Sequence, residues 1–227
     1  MRWFLLVLVI PFLAACGDYK PKSKGEAYFI GYGCVKCHQV GSLGHAWGPD
    51  LTMIGFRKTP EWLDIWLKNP HAWRKQTVMP NFNLPNETRA ELVKYLSEQR
   101  GQAWEKTGKP WEHPSLTDSV AKGEVLFAKA GCIACHGEKG AGGFPNNNVV
   151  GGQIPPLAKV FEGYTKEELL HKIEGGVISD PEDPSKPAPM IFMPKWGDVL
   201  SKQELNYVVD YLFSLAPKGK AGGSSDW

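Results

Sequence analysis

The chain has 227 residues, of which 42% are hydrophobic and 22% charged, and its formal net charge is +2. This composition is typical of folded globular proteins, and the length allows two small domains. The weakly basic balance comes without a cluster of lysines and arginines, so nothing in the sequence predicts a nucleic-acid partner.

The N-terminal segment has the pattern of an export signal. Met1-Arg2 is followed by an apolar run from Trp3 to Leu13, which is too short to span a membrane. The run ends in Leu13-Ala14-Ala15-Cys16, which resembles the lipobox of bacterial lipoproteins. That resemblance implies removal of residues 1–15 and lipidation of Cys16, which would tether the chain to a membrane of a bacterial cell envelope, facing the periplasm or the cell exterior. The alternatives are an ordinary signal peptide with a spare cysteine, or an uncleaved anchor.

Helical patterns dominate the rest of the chain, and alternating strand patterns are scarce. In residues 16–104, the first predicted domain, the last helix places Leu92, Tyr95 and Leu96 at i, i+3 and i+4, which is the spacing of one helix face. The sequence therefore predicts a mainly α fold. The helices predicted in this domain run from Lys24 to Gly33, from Pro60 to Lys68 and from Glu87 to Gln99.

A second domain, residues 120–216, follows the same plan. The linker between the domains, residues 105–119, has glycine and prolines but no helical period. Residues 217–227 are polar and rich in glycine, so we expect a disordered tail. The second domain's predicted helices run from Val120 to Gly131, from Thr165 to Ile173 with Thr165 as N-cap, and from Lys202 to Leu215.

The two domains are an internal repeat. The offset between the copies is 98 near their N-terminal ends and 116 at their last helices. The second copy has therefore gained 18 residues between its Cys132–His136 segment and its last helix. Both domains are therefore expected to carry the same kind of site. The residues that recur at a constant offset of 98 are Gly25, Glu26, Phe29, Gly33, Cys34, Cys37 and His38, which match Gly123, Glu124, Phe127, Gly131, Cys132, Cys135 and His136.

Each copy contains a CxxCH motif, the attachment site of a c-type haem. The motifs are Cys34-Val35-Lys36-Cys37-His38 and Cys132-Ile133-Ala134-Cys135-His136. The two thiols bond the vinyl groups of the porphyrin, and the adjacent histidine becomes a ligand of the iron. A four-cysteine zinc site and a redox dithiol are the alternatives. However, zinc ribbons separate their CxxC pairs by about 15–20 residues, and a dithiol needs no adjacent histidine. We therefore predict two covalently bound haem c groups, with iron bound by His38 and His136.

A methionine is the expected ligand on the far side of each iron, because a thioether paired with histidine fills the site and raises the potential. Met79 and Met193 each precede a proline and the last helix of their domain. Met53 follows His38 too closely to reach over the ring, whereas Met190 is the rival of Met193. Three histidines could replace a methionine and give a bis-histidine haem: His45, His71 and His171.

These motifs together resemble a class I cytochrome c domain, present twice. Gly48-Pro49-Asp50-Leu51 is similar to that family's Gly-Pro-x-Leu loop, and Pro155-Pro156-Leu157 is the best match in the second copy. The resemblance implies a haem wrapped by helices and one-electron transfer through an exposed haem edge. It also implies that the first and last helices cross at Gly25/Tyr95 and at Gly123/Tyr211.

Two functions fit these residues. The first is a membrane-tethered dihaem cytochrome that carries single electrons between respiratory redox partners, as a subunit or close partner of a membrane respiratory complex, with no small-molecule substrate. The second is a small dihaem oxidoreductase related to thiosulfate dehydrogenases or peroxidases, in which one haem binds substrate. A methionine candidate for both irons, and no spare cysteine beyond Cys16, favour the first. The charge is uneven, with net +5 over residues 16–110 and net −4 over 111–227. The alternatives are an ordinary solvated surface, or domains that dock different redox partners or each other through complementary charge.

Overall fold

The computed structural model describes residues 19–216 of the chain. The predicted signal segment, Cys16 and the C-terminal tail lie outside these residues. The first half has five helices and one short antiparallel hairpin, in which Val40 faces Leu43. Its elements are α1 (Lys24–Gly31), β1 (Gln39–Val40), β2 (Leu43–Gly44), α2 (Ile54–Arg57), α3 (Pro60–Lys68), α4 (Pro70–Trp73) and α5 (Asn86–Ser97).

The second half repeats this order without a hairpin in the part of the chain that the structure describes. The prediction of a mainly α fold is confirmed, and so is each of the six predicted helices, with ends that differ by a few residues at most. The remaining elements are α6 (Trp104–Thr107), α7 (Ser119–Lys129), α8 (Ile133–His136), α9 (Val160–Gly163), α10 (Lys166–Gly175) and α11 (Lys202–Ser214).

Side-chain caps explain where the helices begin. Thr59 accepts a hydrogen bond from the amide of Trp62 and is followed by Pro60, which has no amide hydrogen to leave unpaired in the first turn. Thr165 and Glu168 form a reciprocal capping box at the start of α10. Thr165 is therefore confirmed as the N-cap of this helix.

The first and last helices of each domain cross at a glycine, as the resemblance implied. A Cβ atom on Gly25 would overlap the Glu91 carbonyl oxygen and the Cβ of Tyr95. At the second crossing, a Cβ on Gly123 would overlap the backbone of Tyr207 and approach Tyr211. Only glycine lets the two helix backbones approach this closely. In each domain, the CxxCH motif directly follows the first of the two crossing helices, α1 or α7.

The hydrophobic cores of the two domains are not separate. Met53 and Phe56 of the first domain belong to the apolar cluster of the second, where Phe56 packs edge-on against Trp196 with ring centroids 5.2 Å apart. Conversely, Phe144 and Ile191 of the second domain belong to the cluster of the first. Because each core contains side chains of the other domain, the two motifs belong to one packed body.

The segment between the domains contributes to this packing. It contains α6 and a turn of 3₁₀ helix, and Trp111 within it is completely buried. The indole nitrogen of Trp111 donates to Glu204 Oε1 at 2.7 Å, and Lys109 forms an ion pair with the same carboxylate. The glycine and prolines that suggested an unstructured linker thus shape a tightly packed connection. Within residues 19–216, no helix combines the length and apolar character needed to cross a bilayer.

Candidate functional site

Both CxxCH motifs form a tight turn directly after the first helix of their domain. In the first motif the amide of His38 donates to the Cys34 carbonyl at 2.9 Å, and in the second the amide of His136 donates to the Cys132 carbonyl at 2.9 Å. This shared turn holds the histidine of each motif close to its first cysteine. The four motif cysteines carry no disulfide bond.

The buried thiols are uncharged at neutral pH. Burial raises the pKa of Cys34 to about 11 and that of Cys132 to about 12, although the Arg57 charge opposes the effect at Cys132. A redox dithiol instead needs a lowered pKa. Moreover, residues 19–216 contain no group of three or more His, Cys, Asp or Glu side chains arranged to hold a metal ion. The four thiols are therefore not gathered in a zinc site.

The motif histidines are neutral and oriented. The Pro49 carbonyl lies 2.9 Å from Nδ1 of His38, so Nδ1 carries the proton and Nε2 keeps its lone pair. Burial lowers the pKa of His38, although the carbonyl of Pro49 opposes this. Burial also lowers the pKa of His136 to about 4, again opposed by a carbonyl, that of Pro155. Neutral imidazole is the form that binds a metal.

Pro155 takes the place of Pro49 in the second domain, as Pro155-Pro156-Leu157 predicted. Its carbonyl lies near the His136 ring, although Nδ1 of His136 makes no hydrogen bond of ordinary geometry within the described residues. The second histidine is thus oriented by the same kind of group, but less tightly than the first.

The candidate methionines lie in different apolar surroundings. Met79 is half-buried on the cluster of the first domain, and its sulfur accepts a hydrogen bond of 2.9 Å from the Trp66 indole. Met193 packs against the cluster of the second domain. Its rival Met190, three residues earlier, packs against the cluster of the first domain instead. Met53 is buried in the core of the second domain, where it is a packing residue.

The candidate histidine ligands are all exposed. His45 and His71 are on the surface. The side chain of His171 is 79% exposed and lies 3.6 Å from the carboxylate of Glu174 on the same helix. The structure therefore brings none of the three into the interior, where the motif histidines lie.

Tryptophans of the first domain form part of its interface with the second domain. Trp62 and Trp66 are stacked with centroids 5.2 Å apart, and Trp66 lies 6.4 Å from Phe144 of the second domain. The Trp73 indole donates to the Pro145 carbonyl at 3.2 Å. Trp66 therefore lies beside Phe144 of the second domain and also donates a hydrogen bond to the Met79 sulfur.

Two buried cations of the first domain contact the motif of the second, which the sequence did not indicate. Arg57 donates to the carbonyls of Asp50 and Gly131 at 3.0 and 3.1 Å, and so joins the proline loop of one domain to the motif of the other. The Lys58 ammonium lies 3.6 Å from the Cys135 sulfur and 4.4 Å from the Trp62 ring centre. Burial lowers the pKa of both cations. Both would place positive charge near the second haem motif.

Ion pairs between the two halves only partly follow the overall charge asymmetry. Lys109 of the basic half pairs with Glu204 of the acidic half at 2.7 Å, whereas Lys129 of the acidic half lies 3.4 Å from Asp50 of the basic half. Apolar and aromatic side chains make the contact between the two cores, together with the hydrogen bonds of Arg57 and Trp73 across the interface.

The donor set fits haem c. Each motif supplies two thiols free of disulfide bonds for the vinyl groups and a neutral imidazole for the iron, and a thioether lies within the apolar side chains of the same domain. When bound, haem c supplies an iron that takes up and releases one electron.

Comparison with known proteins agrees with this geometry. The family model described as Cytochrome c matches residues 23–100 and again residues 120–216, and each segment contains one CxxCH motif. Cytochrome c oxidase subunit 2 of Alkalihalophilus pseudofirmus is 30% identical over 83 residues, which is 33% of this chain. The chain matches only 24% of the length of that relative. No solved structure gave a significant match.

The family match covers the greater part of the chain and both candidate sites. Membership of this family implies covalently bound haem c with its iron, transfer of electrons through that haem, and redox proteins as partners. The chain belongs to the cytochrome c family, with two tandem cytochrome c domains.

Proposed function

We propose that this protein is a membrane-tethered dihaem cytochrome, which carries single electrons between respiratory redox partners as a subunit or close partner of a membrane complex. The observation that carries the proposal is the presence of two equivalent attachment turns within one fused core. The relative in A. pseudofirmus is a cytochrome c oxidase subunit, which supports the respiratory assignment.

The proposed iron ligands are His38 with Met79, and His136 with Met193. Their support is the neutral, carbonyl-facing imidazoles and the location of each methionine among the apolar side chains of its own domain. Met190 packs against a different apolar cluster from Met193 and is not the proposed ligand. The covalent attachment is proposed at Cys34, Cys37, Cys132 and Cys135.

The surrounding side chains would serve electron transfer by holding both sites rigid. Each motif packs against an apolar cluster, and tight packing limits the rearrangement that accompanies a change of charge. The Pro49 carbonyl holds the His38 ring in one tautomer and orientation. These residues move no proton and form no bond with a substrate, in keeping with an electron carrier.

The alternative is the small dihaem oxidoreductase, which needs an open or displaceable position at one iron. Carbon monoxide distinguishes the two functions. If both irons bind methionine, the reduced protein is expected to bind carbon monoxide slowly and incompletely at neutral pH, as followed by its absorbance spectrum. Fast binding at one haem, together with turnover of peroxide or thiosulfate well above the rate of free haem, would establish the enzyme instead.

The proposed lipid anchor is tested separately, because Cys16 lies outside the described residues. Cys16→Ser is expected to move the protein from the membrane fraction to the soluble fraction, because the acyl chains supply the membrane affinity. Mass spectrometry of the mature wild type should show an acylated N-terminal Cys16. An unmodified Cys16, or a mature chain that retains Met1, would refute the lipoprotein hypothesis.

A further inference from the structure

Three consecutive asparagines of the second domain bind the backbone of a distant segment. The Asn146 amide donates to the Ile191 carbonyl at 2.9 Å, and its oxygen accepts from the Ile191 amide at 3.2 Å. In the same way Asn147 donates to the Ala188 carbonyl at 2.8 Å and accepts from the Met190 amide at 2.7 Å. Each side chain therefore uses both its donor and its acceptor.

The third asparagine continues the pattern. Asn148 donates to the carbonyls of Asp183 and Pro187 at 2.9 and 3.0 Å, and accepts from the Asp183 amide at 2.9 Å. Only a carboxamide can donate and accept in this way, since a carboxylate has no donor and an apolar side chain has neither. Residues 146–148, the asparagine clamp, therefore contact their target through chemistry that no other side chain of that length provides.

Both segments joined by the clamp lie in stretches where the second copy is longer than the first. The offset between the copies is 98 at the motif, 106 from Leu51 to Leu157 and 114 from Met79 to Met193. The second copy has thus gained eight residues before its proline loop and eight more before its methionine. The asparagines lie between the motif and the proline loop, and the segment that they bind ends just before Met193. The clamp therefore joins the two lengthened stretches to each other.

The clamp fixes the backbone that leads to the proposed ligand. It binds the amides of Met190 and Ile191, and two residues later Met193 exchanges both backbone hydrogen bonds with Val177 at 2.9 Å. The backbone is therefore held just before Met193 by the clamp and at Met193 itself by Val177. A loop that is already ordered loses little further freedom when its sulfur binds the iron.

We propose that the asparagine clamp keeps Met193 on the iron of the second domain and thereby closes that haem to external ligands. The asparagines are positioning residues, and the inference rests on the proposed ligand role of Met193. The first domain holds its methionine differently, through the Trp66 indole. Loss of the clamp should consequently affect one haem and spare the other.

Imidazole binding to the full-length ferric holoprotein tests this inference. Asn147→Ala removes two hydrogen bonds from a half-buried side chain outside the hydrophobic clusters, so the variant should fold. Imidazole is expected to bind one of its haems roughly tenfold faster than in the wild type, because losing such bonds favours local opening of the loop. Asn147→Asp keeps the acceptor for the Met190 amide and loses the donor, so its rate should be intermediate.

Two further variants make the outcome decisive. Asn206→Ala is the matched control, because Asn206 is exposed and bonds only within α11, to the Lys202 carbonyl. Its imidazole kinetics should equal those of the wild type. Met193→Ala identifies the kinetic phase of the second haem and sets the upper limit of its rate.

The two hypotheses fail in different ways. If Met193→Ala leaves imidazole binding unchanged, the ligand assignment is wrong. A second outcome would overturn the clamp while the ligand assignment stands. In that outcome Met193→Ala accelerates imidazole binding, whereas Asn147→Ala and the double variant Asn146→Ala with Asn147→Ala bind imidazole at the wild-type rate and have native circular dichroism. Acceleration at both haems would likewise overturn it, since the first methionine does not contact the clamp.

Discussion

Replacing Cys132 and Cys135 by serine is expected to leave a protein with one haem per chain and an unfolded or weakened second domain. Serine cannot form the thioether bonds. A group that binds only the folded domain contributes its binding free energy to stability, and that contribution would be lost. The haem content per chain, from the reduced pyridine complex, should fall by half, and thermal unfolding should begin at a lower temperature.

The matched variant is Cys34→Ser with Cys37→Ser, which should also lose one haem. Because Met53 and Phe56 pack into the core of the second domain, we expect the haem that remains in either variant to be less stable than in the wild type. Two haems per chain in either serine variant would contradict the assignment of the motifs. Independent melting of the remaining domain at its wild-type temperature would contradict the fused core.

Features encoded within a few neighbouring residues could be predicted from the sequence. The CxxCH spacing and the cap at Thr165 each depend on a local pattern. The glycine crossings at Gly25 and Gly123, and the location of Pro155 near His136, were implied by the resemblance to class I cytochromes c. In each case only certain residue types meet the physical requirement of the position.

Contacts between distant segments could not be predicted. Arg57 meets the Gly131 carbonyl across 74 residues, and Trp111 meets Glu204 across 93. No periodicity or spacing indicates such a partner, because a single hydrogen bond places no constraint on the intervening sequence. The asparagine clamp was missed for the same reason. The glycine and prolines of residues 105–119 predict an irregular linker, whereas in the structure this segment buries Trp111 completely in the core.

Removal of either proposed methionine ligand should have the other large effect, a change in the reduction potential of one haem. Methionine binds ferrous iron better than ferric iron, so its removal weakens the reduced state and lowers the potential. Met79→Ala should lower the potential of one haem and Met193→Ala that of the other, each by a value on the order of 0.1 V, a fraction of the span that axial ligands control. Redox titration of the two single variants, followed by absorbance, measures both changes.

A spectroscopic signal reports the same bond directly. The charge-transfer band of the ferric iron–methionine bond should fall by about half in each single variant and vanish in the double variant, because each haem contributes one such bond. Met190→Ala is the internal control. Met190 lies three residues from Met193 but packs against a different apolar cluster, so its removal should leave the band and both potentials near the wild-type values.

Each contrary result has a defined meaning. If Met190→Ala abolishes the band contribution that Met193→Ala spares, the ligand of the second domain is Met190, and the clamp would hold the ligand itself, since it bonds the Met190 amide. If neither variant changes the second haem, that iron has another ligand, and His171 would have to leave the surface position beside Glu174 to supply it. Because α10 presents His171 to solvent, such a ligand would require the helix to repack, which circular dichroism of the two oxidation states would detect.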